Sequence, residues 1–408
     1  MRTLYKYTTL LLSLVLYTWF IKWYVLVLLI LSFIVVISDK FPPKLNLFFP
    51  IGCLIAGFVM MKYLFPPQVI SLPVGYSVFA FSCISYLVDS SKGIVEKKQS
   101  PIDVLCYLFF FPKMLCGPLI RFSPFNKQLN TCKMPTNTVL YMSFKIIVYS
   151  AFCKFCIADN LAWIVNSPSV GINAWCSSFV FATQIYLDFF AYSNFAIAFA
   201  LLLGIQLPTS FNSPYRSITF RDFWHRWNIT ISEWLRDYIY IPLGGSRNVS
   251  HFRQCFNVVI SFIISGLWHG ATFPFIIWGV IHGFFVAIEQ LFVIKHHSLL
   301  LKWLYSICVI AIVCLLWQLF RLPTINAIHL YINSLFTYDD IKITFLIPTI
   351  VSALIVWTID DKRLKKYIFS FNENRTFVIK EVGIVSILLF ITILFHAYPD
   401  INFFYFKF

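Results

Sequence analysis

The sequence has little charge for its length. Only 12% of its 408 residues are Asp, Glu, Lys or Arg, about half the share of a soluble globular protein. Hydrophobic residues make up 59% of the chain and aromatic residues 19%. Too few polar side chains remain to cover a water-facing surface, which excludes a soluble domain, a disordered chain and a secreted disulfide scaffold. We therefore predict an integral membrane protein.

Acidic residues are scarcer than basic ones. Seventeen Asp and Glu stand against 32 Lys and Arg, a formal net charge of +15. The basic residues lie between apolar runs, where cytoplasmic loops and anionic lipid headgroups explain them. We predict contact with a lipid bilayer and no nucleic-acid partner.

Signatures of metal binding and secretion are also missing. Cys153 and Cys156 have the spacing of a redox or zinc pair, but no second pair completes a metal site, so we predict none. The first apolar run, residues 8–37, lacks a small-residue cleavage site and is too long for a signal peptide. Because no internal repeat or long linker divides the sequence, we predict a single membrane domain over residues 1–408.

Long continuous apolar runs favour helices over strands, because barrel strands alternate and a helix satisfies its own backbone in lipid. About ten or eleven runs approach the ~20 residues that a spanning helix needs. Residues 8–37, with Lys22 near their middle, form either one tilted helix or two short ones. Residues 104–120 contain Pro112 and Pro118, which predicts a re-entrant segment. The expected fold is an all-α polytopic membrane protein.

One stretch gathers arginine beside tryptophan. Six Arg lie within residues 215–253, and the apolar residues keep helical spacing over more than four turns, at Phe220, Phe223, Trp224, Trp227, Ile231, Trp234, Leu235 and Tyr238. This pattern predicts an amphipathic helix in the membrane interface, ended by residues 242–245. Arg226 and Arg236 on its polar side either bind substrate phosphates or anchor the helix to lipid.

Two histidines stand next to glycine in apolar sequence. His282 follows His269 by 13 residues, which on one straight helix would turn the rings apart by about 220°, although Pro274 makes one straight helix a poor expectation. A buried neutral histidine can take a proton from a hydroxyl and return it to a leaving group, which suits acyl transfer from a thioester. The structural alternative is a histidine pair that hydrogen-bonds across a helix bundle. Metal binding is a third, weaker alternative, because no carboxylate or cysteine lies at ligand spacing from the two histidines and the nearest acid is Glu289.

Two further charged residues lie in apolar surroundings. Asp188 needs a buried partner such as an arginine or a tyrosine, which favours a structural role. Arg121 either meets an anionic group or extends to the membrane interface.

A series of short motifs keeps one order along residues 70–408. The motifs are 72–77, 84–89, 111–112, 116–122, 158–159, 186–189, 192–197, 211–215, 223–227, 234–245, 266–270, 278–283 and 403–408. In this series, and most specifically in residues 234–245, the chain resembles the membrane-bound O-acyltransferases, in particular the bacterial alginate O-acetyltransferase branch.

The resemblance implies a bundle of membrane helices around a tunnel, with interfacial and re-entrant helices. It divides the single domain into variable N-terminal helices, 1–69, and a core, 70–408. His269 falls on the family's catalytic histidine and His282 on its later, supporting histidine. Trp268 and neighbouring aromatic residues would line a dry tunnel.

The resemblance also implies substrates. Family members move an acyl group, usually acetyl, from a cytoplasmic thioester to a hydroxyl of a cell-envelope glycan or to a partner protein, and relatives move D-alanine onto teichoic acids. We expect acetyl-CoA or another acyl thioester as donor, no bound cofactor, and a glycan or a periplasmic or extracellular acyltransferase as acceptor partner. The expected location is the bacterial cytoplasmic (inner) membrane.

Two positions depart from the family pattern. Asn228 replaces a histidine that is usual in the family, and Asn194 replaces an acid, which leaves the acceptor and the partner open. The alternative function is a non-catalytic glycan or lipid transporter, or a scaffold for a soluble acyltransferase. A His269 sealed among packed apolar side chains would favour that alternative, whereas a His269 on a cavity favours the enzyme.

Overall fold

A computed structural model describes residues 2–42, 45–64, 73, 75–96, 99–114, 117–131, 135–247, 249–270, 272–292, 298–370 and 375–396. The motif at 403–408 and parts of the motifs at 72–77 and 116–122 lie outside these residues. The chain divides into two compact units, Met1–Ser143 with Ser193–Thr209, and Phe144–Tyr192 with Ser210–Phe408. The single membrane domain with its boundary at residue 70 stays a prediction.

The regular secondary structure described in the first unit is helical. Its helices are α1 (Arg2–Ile21), α2 (Tyr24–Val36), α3 (Leu45–Val59), α4 (Tyr76–Ser91), α5 (Pro101–Leu108), α6 (Phe111–Met114) and α7 (Phe122–Thr131). The backbone of Lys22 is left-handed, with φ 51°, and this residue separates α1 from α2, which confirms the two-helix alternative for residues 8–37. The predicted break near Pro112 is also confirmed by α5 and α6, and membrane re-entry there stays a prediction.

Two helices connect the units along the chain. Helix α8 (Asn137–Ala151) begins in the first unit and ends in the second, and α10 (Ile172–Leu202) begins in the second and ends in the first. The second unit also contains α9 (Ala162–Asn166), α11 (Phe220–Trp224), α12 (Ile229–Leu235), α13 (His251–His269), α14 (Phe273–Leu291), α15 (Leu299–Trp317), α16 (Ile325–Phe336), α17 (Ile343–Ile359), α18 (Lys362–Phe369) and α19 (Arg375–Phe395).

The prediction of an all-α polytopic membrane protein is confirmed, and no strand occurs among the described residues. Helices long and apolar enough to cross a membrane are Thr3–Ile21, Leu45–Leu64, Asn137–Asn166, Ile172–Leu202, Phe273–Leu291 and Leu299–Phe320. Helices α17 and α18 add another if the pair, bent by 60°, is one span. Within the described residues this is fewer than ten, because several apolar runs form shorter or broken helices.

Helices α13 and α14 form a closely packed hairpin in the second unit. A Cβ at Gly279 would meet the carbonyl oxygen of Phe262, and a Cβ at Gly283 would lie 2.9 Å from Cα of Val259. The absence of side chains at these glycines therefore lets the two backbones touch. Ser250 caps α13 by accepting the Arg253 N–H, and Pro274 lies in the first turn of α14, where proline fits without a kink.

Candidate functional site

His269 is the last residue of α13, and the extended backbone of Gly270 ends the helix there. Its ring lies 5.3 Å from Trp278 and 5.1 Å from Phe320, measured between ring centroids. Trp268 is mostly buried and its ring centroid lies 4.5 Å from that of His269. The imidazole is half-buried and therefore keeps access to a substrate.

His282 lies in the middle of α14 and is fully buried. The indole N–H of Trp224 donates to its Nδ1 at 3.3 Å. Because Nδ1 is the acceptor, the neutral ring carries its proton on Nε2. The Trp278 ring, at 4.9 Å, covers another side of His282.

The two histidines approach the same indole although they lie on different helices. The chain reverses between α13 and α14, so the 220° offset expected on one straight helix does not apply. Trp278 contacts both His269 and His282. The structure thus places the two predicted histidines around one tryptophan.

A cavity of about 430 Å³ opens beside His269. One face of α13 forms a wall of it, through Val258, Ser261, Phe262, Ser265 and His269. These positions follow the helical repeat and extend over about 16 Å. His269 stands at one end of this wall, and Gln290, near the end of α14, borders the cavity as well. The cavity is therefore long and narrow, with aromatic walls at Trp224 and Trp317.

The predicted continuous amphipathic helix is wrong. The stretch forms α11, α12 and a π-helical turn, Arg236–Tyr240, and Asn228 between the two helices has left-handed backbone, with φ 41°. Asparagine tolerates this conformation better than most residues. The break turns Trp227 inward, where its ring lies 4.7 Å from Trp317, so this tryptophan belongs to the protein core.

Only one of the two predicted arginines borders the cavity. Arg236 borders the cavity, as do Asn228 and the unpredicted Arg221. Arg226 does not border it; its Nε donates to Asp222 at 2.7 Å and its Nη1 to the carbonyl of Asn212 at 3.3 Å. Arg226 therefore holds the loop before α11, while Arg221 and Arg236 supply positive charge to the cavity.

Arg236 remains cationic at any physiological pH. Its Nε donates to Asp237 at 2.8 Å, and this hydrogen bond raises the pKa of the guanidinium. The charge of Arg236 is available at the rim because more than half of the side chain is exposed.

The other predicted site residues lie elsewhere. Asp188 is buried and pairs with Lys154 at 2.6 Å, and Lys154 also pairs with Asp159. The buried partner expected for Asp188 is thus a lysine in place of an arginine or a tyrosine, and its structural role stays a prediction. Arg121 lies in the first unit, directly before α7.

Glu289 makes contacts beside the site that the sequence did not reveal. Its carboxylate accepts the backbone N–H groups of Phe220 and Arg221, at 2.7 and 2.8 Å, and the hydroxyl of Tyr305 at 2.7 Å. It thereby satisfies the first amide groups of α11 and fixes this helix, with Trp224 at its end, against α14. The only sequence signal was an acid within an apolar helix.

A second, smaller cavity shares a turn with the first. It has a volume of about 220 Å³ and is bordered by Asn166, Ser177, Gln318, Arg321 and Tyr331. Trp317 and Phe320 border the His269 cavity, whereas Gln318 and Arg321 border this polar one. Among the described residues, no group of three or more His, Cys, Asp or Glu is placed to hold a metal ion.

Comparison with known proteins identifies the family. Residues 83–323 match the model of MBOAT, the membrane-bound O-acyltransferase family. This chain belongs to that family. The match covers the α13–α14 hairpin and the turn at residues 317–321, which borders both cavities.

Individual relatives agree with this assignment. The chain is 32% identical to the probable alginate O-acetylase AlgI of Pseudomonas aeruginosa, over 71% of this chain and 56% of that protein. It is 31% identical to the peptidoglycan O-acetyltransferase of Helicobacter pylori, over 63% and 55%, and 27% identical to the teichoic acid D-alanyltransferase of Bacillus subtilis, over 59% and 64%. The chain thus spans about half the length of the first two relatives.

Proposed function

We propose that this MBOAT protein transfers an acetyl group from a cytoplasmic acyl thioester, such as acetyl-CoA, to a hydroxyl of a cell-envelope polysaccharide or to a partner protein. The observation that carries the proposal is the position of His269 at one end of a narrow cavity that has arginines among its bordering residues. The donor is a substrate here, and no bound cofactor is invoked.

The donor fits the larger cavity. Arg221 and Arg236 would bind the phosphates of a nucleotide thioester through charge-assisted hydrogen bonds. The aromatic walls would hold the extended arm and keep water from the thioester. The arm would extend between Trp224 and Trp317, along α13 toward His269, all of which border the cavity.

The acceptor fits the polar cavity. Its serine, asparagine, tyrosine and arginine side chains are the groups that bind sugar hydroxyls and carboxylates. Phe320 contacts His269 and adjoins Arg321, which borders this cavity. A hydroxyl that enters from the polar side would therefore reach the same imidazole as the thioester.

The acetyl transfer needs a single general base, His269. The imidazole of His269 takes the proton of the acceptor hydroxyl while the oxygen attacks the thioester carbonyl carbon. The tetrahedral intermediate then breaks its C–S bond, and the leaving thiolate takes the proton from the imidazolium. The products are an O-acetyl ester and a free thiol, and His269 returns to its neutral state.

His282 acts as a positioning residue. It does not border the cavity, and the Trp224 indole occupies its Nδ1. Its effect on the reaction would pass through Trp224 and Trp278, which it holds beside the cavity and His269.

The basic residues of the second unit suggest how the protein is oriented in the membrane. Lys302, near the start of α15, borders the same cavity as Asp360, at the end of α17. The cations of α18, which begins directly after α17, therefore lie at the same end as Lys302. Loops rich in Lys and Arg face the cytoplasm, so we assign this end to the cytoplasmic side of the bacterial inner membrane. A cytoplasmic thioester would then enter past Arg221 and Arg236.

The non-catalytic alternative required a sealed His269. His269 instead borders a cavity of about 430 Å³, an observation that supports the enzyme over a transporter or a scaffold.

Two measurements test the proposed function. Purified protein in detergent is incubated with acetyl-CoA and envelope glycan fragments, and thiol release is followed. Mass spectrometry then compares acetyl esters on envelope glycans of a deletion strain and its parent. Thiol release that depends on glycan, together with loss of acetyl esters, supports the proposal; folded protein without release and an unchanged glycan would refute it.

A further inference from the structure

A third cavity, of about 450 Å³, lies between α15 and α17 in the second unit. Its α15 wall contains Leu299, Trp303 and Ile310, and its α17 wall contains Ala353 and Trp357. Helix α15 belongs to a candidate membrane span, and α17 is the first half of the bent pair. This groove therefore runs along helices that face lipid, and its walls suit an acyl chain.

One end of the groove is basic. Arg216 and Lys302 both border it. The Arg216 guanidinium lies 4.7 Å from the centroid of the Trp357 ring, and its Nη2 donates to the carbonyl of Trp357 at 3.0 Å. Its Nε is buried and has no hydrogen-bond acceptor among the described residues. Arg216 is thus held in place at this end of the groove.

The acids near this end are already occupied. Asp360 borders the groove, but its carboxylate accepts from the Tyr186 hydroxyl at 2.6 Å and the Tyr215 N–H at 3.0 Å. Asp361 lies 3.6 Å from Arg216 and also accepts the Arg363 N–H at 2.7 Å. Within the described residues, no ion pair of Lys302 is formed. Lys365 pairs with Asp360 at 3.5 Å, so the three cations Arg216, Lys302 and Lys365 outnumber the two acids at this end of the groove.

The adjoining helix has the composition of a membrane-surface helix. Helix α18 begins after the 60° bend and contains Lys362, Arg363, Lys365 and Lys366 in eight residues. Ile368 on its other face is buried, while Lys362, Arg363 and Lys366 are exposed. Exposed Trp303 and Trp357 stand at the same end, as tryptophan does at membrane–water interfaces. Basic residues there attract anionic lipid headgroups.

We propose that this groove binds an anionic phospholipid. One acyl chain would lie between α15 and α17, and the headgroup phosphate would meet Arg216 and Lys302. This site is separate from the His269 cavity, so it does not depend on the proposed acyl transfer. The bound lipid would fill the space between the two helices and fix the bend before α18.

The test measures lipid retention on the full chain. Delipidated protein in detergent is titrated with phosphatidylglycerol or phosphatidylcholine, and bound lipid is counted by native mass spectrometry. We expect phosphatidylglycerol to bind at least fivefold more tightly. Lys302→Glu should weaken phosphatidylglycerol binding by about fivefold or more, whereas Lys127→Glu, the same charge change at an exposed site of the first unit, should not.

A second pair of variants tests the groove without changing charge. Ala353→Trp fills the groove, and Leu354→Trp adds a tryptophan at the next residue of α17, which does not border it. Only Ala353→Trp should lower retention of either lipid. Equal binding of the two lipids would overturn the headgroup site, and unchanged binding in both Lys302→Glu and Ala353→Trp would overturn the groove. Size-exclusion profiles verify that each variant is folded.

Discussion

The indole N–H of Trp224 donates to Nδ1 of His282 at 3.3 Å. This bond leaves the proton of the neutral imidazole on Nε2 and makes His282 a donor at its remaining nitrogen. A ring whose accepting nitrogen is already occupied is a poor base for a substrate hydroxyl. His269, which borders the cavity, is therefore the residue that we propose as the base.

The first prediction concerns this hydrogen bond. Trp224→Phe keeps an aromatic ring but leaves Nδ1 of a buried histidine without its donor. Because an unmade buried hydrogen bond costs about 1–3 kcal/mol, we expect kcat of thiol release to fall by about tenfold and the unfolding midpoint to drop. Trp227→Phe removes the same volume from another ring of the cavity, one that packs on Trp317. If both variants lose kcat equally, the bond to His282 has no specific role.

The second prediction concerns His269. His269→Ala should lower transfer by about 10²- to 10⁴-fold, the usual contribution of a general base, while thermal unfolding in detergent stays near that of the parent. His329→Ala is the matched control, because His329 is exposed on α16. Transfer at the parental rate by folded His269→Ala protein would remove this residue from the reaction.

The sequence predicted the helices and the histidines but not their partners. Apolar runs and glycine spacing are local signals, so α13, α14 and the two histidines on them could be anticipated. The continuous helix predicted from Phe220 to its end at residues 242–245 is wrong because one residue with left-handed backbone, Asn228, separates α11 from α12. Arg221 borders the cavity from α11, whereas Arg226 follows the end of α11 and pairs with Asp222.

Contacts between residues distant in the sequence could not be predicted, for a different reason. Glu289 caps α11 from another helix, and Lys154 pairs with Asp188 across the second unit. A charged residue in apolar sequence indicates that a partner exists, but the sequence does not identify which residue the fold brings to it.

The third prediction separates the arginines. Arg221→Ala and Arg236→Ala should each raise KM for acetyl-CoA by about fivefold, since each removes an exposed charge-assisted contact with phosphate. Neither should change KM for S-acetyl-N-acetylcysteamine, a thioester that lacks phosphates. Arg226→Ala should leave both KM values unchanged, because Arg226 is engaged with Asp222 and Asn212. A rise in KM for Arg226→Ala as large as for the other two would contradict the assignment.

The fourth prediction concerns a buried ion pair in the second unit. Lys145 Nζ lies 2.9 Å from Glu381 and also donates to the carbonyls of Tyr367 and Ser370. Glu381→Ala leaves this ammonium buried without its anion and should lower the free energy of unfolding by about 3–5 kcal/mol. The double variant Lys145→Met with Glu381→Leu should recover part of the loss in denaturant titrations. A single variant as stable as the parent would show that the pair contributes nothing.

The last prediction concerns the contact between α13 and α14. In Gly279→Ala the new methyl group meets the carbonyl oxygen of Phe262, which is backbone and cannot rotate away. The helices must separate, which should cost about 1–3 kcal/mol and lower transfer, because His269 and Trp278 lie on opposite sides of this contact. Gly383→Ala in α19 places the same methyl group where nothing lies within 4 Å, so it should be neutral or stabilise the protein by up to about 1 kcal/mol. Unfolding midpoints and kcat of the two variants decide the matter: equal values would mean that close approach of these helices is not what holds His269 at the cavity.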